Sequence, residues 1–99
     1  MKLNKTITCA DGFRMSVQAS ASAYSTPRNN EGPYETAEVG FPSEKETLIM
    51  EYAEDRDNPT NTVYAYVPSS VISLVCAKHG GIVDGDLPKG IPFLKASSR

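Results

Sequence analysis

The side chains best suited to chemistry are one histidine and two cysteines. Cys76 and His79 lie three positions apart, which places them on one face if that stretch is helical. A thiolate nucleophile with a histidine base would use this spacing, but the base needs a third group to orient it. Asp84 and Asp86 lie beyond two glycines, and Cys76 lies in an apolar run that would raise the pKa of its thiol. We therefore predict no catalytic residues and expect Cys76 to be a buried structural thiol.

Two sets of residues carry metal-ligand chemistry. Cys9, Cys76 and His79 match none of the zinc-binding spacings, such as paired C-x-x-C. Residues 54–61, EDRDNPTN, alternate oxygen ligands but lack the glycine and the distal glutamate of a calcium loop. Phosphate-binding loops, nucleophile elbows and H-E-x-x-H motifs are also missing from the sequence. We predict no metal site and no cofactor.

Length and composition indicate one small folded domain. The chain has 99 residues, 39% hydrophobic and 22% charged, with a net charge of −2. We place the domain at residues 1–94 and a flexible tail at 95–99. The charge does not favour direct binding to nucleic acid or to an anionic membrane. Without an apolar leader or a membrane-spanning run, the expected compartment is the cytoplasm, where both thiols stay reduced.

The first half of the chain has the period-two pattern of β-structure. Residues 13–23, FRMSVQASASA, alternate apolar and polar side chains, so we predict a strand with one buried face. A three-residue loop ending in a left-handed Gly12 would join it to an earlier strand. This register pairs Cys9 with Phe13, Ile7 with Met15, and Leu3 with Ala19. Residues 34–41 predict a third strand, with Ala37, Val39 and Phe41 on one face.

The middle of the chain contains one ambiguous and one clear element. Ser43 and Glu46 form a capping-box pattern that favours a short helix at 44–53, although a strand pattern also fits there. Residues 62–67, TVYAYV, are β-branched and aromatic and predict a strand. We expect Val63, Ala65 and Val67 on one face of it, and Tyr64 and Tyr66 on the other.

A helix over 68–79 follows, with proline at its start, cations in its last turn and two glycines after it. His79 is then a helix-ending residue, and the left-handed cap belongs to Gly80 or Gly81. A short strand pair around Asp84–Gly85 would come next. Together these elements predict an α+β fold, an antiparallel sheet of four to five strands with one main helix packed on it.

Charge is unevenly placed along the chain. Residues 44–57 hold six acids against Lys45 and Arg56, a local charge of −4. Such a segment can steer the protein onto a basic surface, including a nucleic-acid-binding groove of another protein. Tyrosine is enriched at protein interfaces. The predicted partner-binding residues are therefore Glu44, Glu46, Glu51, Glu54, Asp55, Asp57, Tyr64 and Tyr66; a solvated acidic face and half-buried rings are the alternatives.

Several stretches resemble small accessory proteins encoded by tailed phages and prophages: MSVQAS, EVGFPSE, YAEDRDNPTNTVYAYVP and AKHGG. The resemblance covers residues 1 to about 90 and includes no catalytic signature. It implies a protein made in the host bacterial cytoplasm. Products of this class often bind and disable host defence or regulatory proteins, anti-CRISPR proteins among them.

The leading hypothesis is a phage-encoded, non-enzymatic binding protein that contacts a host protein and inhibits it. One alternative is an oligomeric small-molecule or nucleotide sponge, with its site between subunits. Another is a minor virion component. The sequence leaves a homodimer open in each case.

Overall fold

The computed structural model describes residues 3–97, which form a five-stranded antiparallel sheet in the order β4-β3-β2-β1-β5. The strands are β1 (Ile7–Cys9), β2 (Arg14–Gln18), β3 (Thr36–Gly40), β4 (Val63–Pro68) and β5 (Ile82–Asp84). One helix, α1 (Ser69–Lys78), follows β4, and a 3-10 helix, Thr47–Tyr52, lies between β3 and β4. The predicted α+β class, strand number and main helix are confirmed.

The β1–β2 hairpin has the predicted register. Ile7 lies opposite Met15, the Cys9 amide donates to the Phe13 carbonyl at 2.8 Å, and Gly12 has a φ of 94°. The predicted pairing of Leu3 with Ala19 is wrong, because β2 ends at Gln18. The Gln18 amide side chain bonds the main chain of Asn4 on both its N–H and its carbonyl, at 2.8 Å each, in place of further strand pairing. Leu3 is consequently 69% exposed.

Strands β3 and β4 differ from prediction in which side chains they bury. Ala37 and Val39 face the core as expected, but Phe41 lies beyond β3, has a φ of 50° and is exposed. A register shift between Ala37 and Val39 changes the alternation of β4. Tyr64 therefore shares the core face with Val67, and the prediction that Val63, Ala65 and Val67 share that face is wrong.

The ambiguous segment is helical, in the tighter 3-10 form. Its N-cap is Glu46, whose carboxylate accepts the Leu48 amide at 2.9 Å. Ser43, the predicted first half of a capping box, instead accepts the Arg14 amide at 2.9 Å and so links this segment to β2. Ile49 enters the core.

Helix α1 begins and ends within one residue of the prediction. Ile72, Val75 and Cys76 pack into the core, and Leu74 faces outward. Both Gly80 and Gly81 have positive φ, and the Gly81 amide donates to the Cys76 carbonyl at 2.8 Å. The chain can then turn sharply into β5, which pairs with β1, so the predicted strand pair around Asp84–Gly85 does not form.

The C-terminal segment returns to β5. Ile82 donates to the Leu94 carbonyl at 2.8 Å and accepts from the Ala96 amide at 2.9 Å. Residues 98–99 of the predicted tail 95–99 lie outside the described part of the chain, as do residues 1–2 of the predicted domain. Within residues 3–97, no helix is long and apolar enough to cross a membrane.

Candidate functional site

His79 lies at the centre of a network of charged side chains, in which His79 and Glu46 are buried and Asp11 and Lys78 are about half exposed. It is the C-cap of α1, and its side chain is only 6% exposed. Its Nδ1 atom lies 2.6 Å from Asp11 Oδ2, and its Nε2 atom lies 2.7 Å from Glu46 Oε1. Lys78 Nζ donates to the other Glu46 oxygen at 3.0 Å. The network therefore joins the β1–β2 turn, the start of the 3-10 helix and the end of α1.

The imidazole ring is also held from one side by an aromatic ring. Phe13 stacks on His79 with ring centroids 4.0 Å apart and planes 10° from parallel. Asp11 accepts the Phe13 amide at 2.9 Å, so the turn that presents the carboxylate also positions the stacking ring. Both contacts follow from the three-residue loop that ends in Gly12.

The network favours the ionised form of its acids and the protonated form of its imidazole. Burial disfavours the imidazolium, but the hydrogen bonds and charges of Asp11 and Glu46 outweigh burial and raise the pKa of His79. Burial would likewise raise the pKa of Glu46, but donors from Leu48, His79 and Lys78 lower it. The Phe13 amide, and then His79, lower the pKa of Asp11.

In this geometry, the imidazole and thiol groups that nucleophilic catalysis would use are not available for it. A neutral imidazole has one N–H, so only the imidazolium can donate to both carboxylates. Neither ring nitrogen can then accept a proton from Cys76 without losing a carboxylate partner. Burial, together with the neighbouring Cys9, raises the pKa of Cys76 to about 12, and burial also raises the pKa of Cys9.

Two of the eight predicted partner-binding residues are buried. Glu46 is 1% exposed and occupied by the His79 network. Tyr64 is 0% exposed, and its hydroxyl donates to the Pro59 carbonyl. Neither side chain can meet a partner in this conformation. The assignment of both to a contact surface is corrected, because the capping contact and the β4 register turn them inward.

The other six predicted residues are exposed: Glu44, Glu51, Glu54, Asp55, Asp57 and Tyr66. We call these six the acidic surface. The Glu54 amide donates to the Val63 carbonyl at 3.0 Å, which fixes the acidic segment alongside β4, the strand that carries Tyr66. Strand geometry places Val63 and Tyr66 about 10 Å apart. The structure thus brings Glu54 to the sheet edge that carries Tyr66, whereas Ser43 holds the start of the acidic segment against β2.

The candidate calcium segment is a hydrogen-bonded turn. Asp55 accepts the Asp57 amide at 3.1 Å and the Asn58 side-chain amide at 2.8 Å. These bonds use both Asp55 oxygens to shape the turn. Across residues 3–97, no group of three or more His, Cys, Asp or Glu side chains is arranged to hold a metal ion.

A second surface feature is a groove. It lies on the sheet face opposite the core, and we call this sheet face the open face. Its volume is about 150 Å³, and its lining includes Leu3, Gln18, Ala19, Ala23 and Glu38. Tyr24 lies next to Ala23 in the chain, and its ring tilts against that of Tyr66 with centroids 5.9 Å apart. No sequence prediction included this groove.

The residues that sequence reasoning missed are joined by long-range contacts. Asp11 and Glu46 lie 68 and 33 positions from His79. The capping pattern singled out Glu46 as the start of a helix, but nothing local indicated its partner. No protein-family model, curated protein or solved structure matches this chain, so its function is argued from its own residues.

Proposed function

We propose that this protein is a non-enzymatic binding protein that inhibits a host protein by contact through the acidic surface. The observation that carries the proposal is the exposure of five carboxylates on one short segment fixed against β4. With Glu46 buried, residues 44–57 present five acids against Lys45 and Arg56, a charge of −3. Tyr66 adds an exposed aromatic side chain, of the kind enriched at protein interfaces.

The charge of this surface defines the partner's chemistry. A basic face, such as the nucleic-acid-binding groove of a host protein, would attract it over about 10 Å at 0.1 M salt. Occupying such a groove would block nucleic acid from entering it. The resemblance to phage accessory proteins supports a bacterial host, and a defence inhibitor of the anti-CRISPR kind is the form of the proposal that best fits this chemistry.

The His79 network supports a binding role more than a catalytic one. It fixes the start of the acidic segment through Glu46 and has no ring nitrogen to spare for proton transfer. The open-face groove, at about 150 Å³, is smaller than the roughly 300–1,000 Å³ pockets that bury drug-sized ligands. A nucleotide-sized ligand would therefore need a site shared with a second copy of the chain.

The test compares charge reversals on two surfaces. Glu51→Lys/Glu54→Lys alters the acidic surface, and Glu31→Lys/Glu35→Lys makes the same charge change at exposed positions outside it. Tagged proteins are used to capture partners from the bacterial host at about 50 mM and 300 mM salt. We expect the first variant to lose a specific partner by roughly tenfold at low salt, and the control to retain it.

The same variants are checked for inhibition of that partner's binding to nucleic acid. Thermal unfolding must show that both remain folded. Equal loss with both variants, or no loss with either, would contradict the assignment of the acidic surface.

A further inference from the structure

Glu38 presents a carboxylate oxygen that nothing in the described chain uses. It lies opposite Gln18 in the β2–β3 ladder, on the open face, and is partly exposed. Its Oε1 atom accepts the Tyr24 amide at 3.1 Å. Among residues 3–97, its other oxygen has no hydrogen-bond or ion-pair partner. The position therefore offers one oriented negative charge at the wall of the groove.

Two exposed tyrosines are linked to Glu38 through the main chain, and neither of them lines the groove itself. The Tyr66 amide donates to the Tyr24 carbonyl at 3.0 Å, so the main chain of Tyr24 is bonded to both Glu38 and Tyr66. The rings are 38% and 39% exposed and 47° from parallel. Tyr66 has a φ of 54°, a conformation that bulky residues rarely adopt. This left-handed residue lies where the β3–β4 register shifts, opposite the Glu38 position.

The groove has room for one side chain. A cavity of about 150 Å³ accepts a group the size of benzene. Leu3, Ala19 and Ala23 provide apolar wall, which suits the aliphatic stem of a long side chain whose charged end meets a carboxylate. Glu38 is the one charged side chain in this lining, so the groove favours a cation and disfavours phosphate or carboxylate ligands.

We propose that this groove binds the guanidinium group of an arginine side chain on the partner protein. A guanidinium can donate to the remaining Glu38 oxygen and is more weakly hydrated than the lysine ammonium, so it loses less hydration on entering an apolar groove. The proposal deepens the proposed function, because it names a side chain of the partner and assumes that the partner is a protein. The acidic surface and the groove would then contact one basic face from two sides of β4.

The test uses a small probe that can bind the groove without the host partner. Uniformly ¹⁵N-labelled protein is titrated with acetyl-Gly-Arg-Gly-amide at low salt, and amide shifts are recorded. We expect saturable shifts centred on Ala19, Tyr24, Glu38 and Tyr66, with a Kd of roughly 1 mM. The same peptide with lysine should bind more weakly, and the neutral citrulline peptide should not bind.

Two variants test whether the arginine peptide binds in the groove or is attracted by the overall negative charge of the protein. Glu38→Gln should weaken arginine-peptide binding at least about fivefold, because it removes the charged acceptor. Glu31→Gln, the same change at an exposed loop position, should leave binding unchanged. Equal binding of the citrulline peptide, shifts confined to residues 44–57, or wild-type affinity in Glu38→Gln would each overturn the proposal.

The experiments can contradict the proposed contact surface and the groove assignment independently of each other. If the acidic-surface variant still captures the partner while the arginine peptide binds at Glu38, the proposed contact surface is wrong and the groove assignment stands. If the peptide fails to bind while the acidic surface proves essential, the groove assignment is wrong and the proposed function stands.

Discussion

His79 Nε2 lies 2.7 Å from Glu46 Oε1, and both side chains are almost fully shielded from solvent. Glu46 precedes the 3-10 helix and His79 ends α1, so this one contact ties two helices together below the sheet. Asp11, on the opposite side of the ring, extends the connection to the β1–β2 turn. The only histidine in the sequence therefore joins three separate elements.

His79→Ala should destabilise the fold by about 3 kcal/mol, because it leaves the buried Glu46 carboxylate without its closest partner. Lys78→Gln removes the half-exposed cation on the same carboxylate and should cost less than about 1 kcal/mol. Urea unfolding of both variants measures the difference. Equal effects would mean that the imidazole contributes no more than a surface charge.

Stability should be greatest between about pH 4.5 and 6.5. The pKa of His79 is raised above its ordinary 6.5, so its stabilisation is complete below that pH and is lost as pH rises through the folded pKa. The pKa of Glu46 is lowered from 4.5, so its stabilisation is present above that pH and is lost as pH falls through the folded pKa. Asp11 shifts in the same direction as Glu46 and adds to the acid limb.

The pH profile is measured by thermal unfolding from pH 3 to pH 8. Lys78 is the other charged group on Glu46. His79→Asn cannot titrate, so its Tm should no longer fall between about pH 6.5 and 8. A decline of the same size in this variant would show that another group controls the alkaline side.

Tyr64→Phe should destabilise the protein by about 1–2 kcal/mol, because it leaves the Pro59 carbonyl without its hydroxyl donor. Tyr66→Phe, in an exposed ring two residues away, should change stability by less than about 0.5 kcal/mol. Denaturant unfolding distinguishes the two. The reverse order would contradict the β4 register described above.

Gly81→Ala should cost at least about 3 kcal/mol, since its φ of 90° is joined by a clash of the new Cβ with Ala96 Cα at 2.6 Å. Gly12→Ala has a similar φ of 94° but meets nothing within 4 Å, so it should cost only about 1–2 kcal/mol. The difference between the two stability costs measures how tightly the C-terminal segment packs against the end of α1. If both cost the same, that segment does not pack here in solution.

Both thiols should be protected in the folded protein. At pH 8, an aromatic disulfide reagent should modify Cys9 and Cys76 at least about 100-fold more slowly in buffer than in denaturant, because they are buried and the pKa of Cys76 is raised to about 12. The rate is followed by the absorbance of the released thiolate. Rapid reaction without denaturant would show that the sheet and α1 separate readily.

Elements with local signals could be predicted from the amino-acid sequence. Period-two alternation and the Gly12 turn specified the β1–β2 register, since slipping by one residue would expose its buried face. Proline, late cations and paired glycines bounded α1 and identified His79 as its last residue. The acidic segment was likewise visible as a run of like charge.

Which of those residues reach solvent, and which contact one another, depends on how the elements pack in three dimensions. A register shift in β4 exchanged the roles expected for Tyr64 and Ala65, and alternation cannot reveal such a shift in advance. Glu46 faces inward, where it lies 2.7 Å from the Nε2 atom of His79, 33 residues away in the chain. Such pairings depend on how separate elements pack, because packing creates the low-dielectric interior in which hydrogen bonds between charges strengthen and an unpaired charge becomes costly.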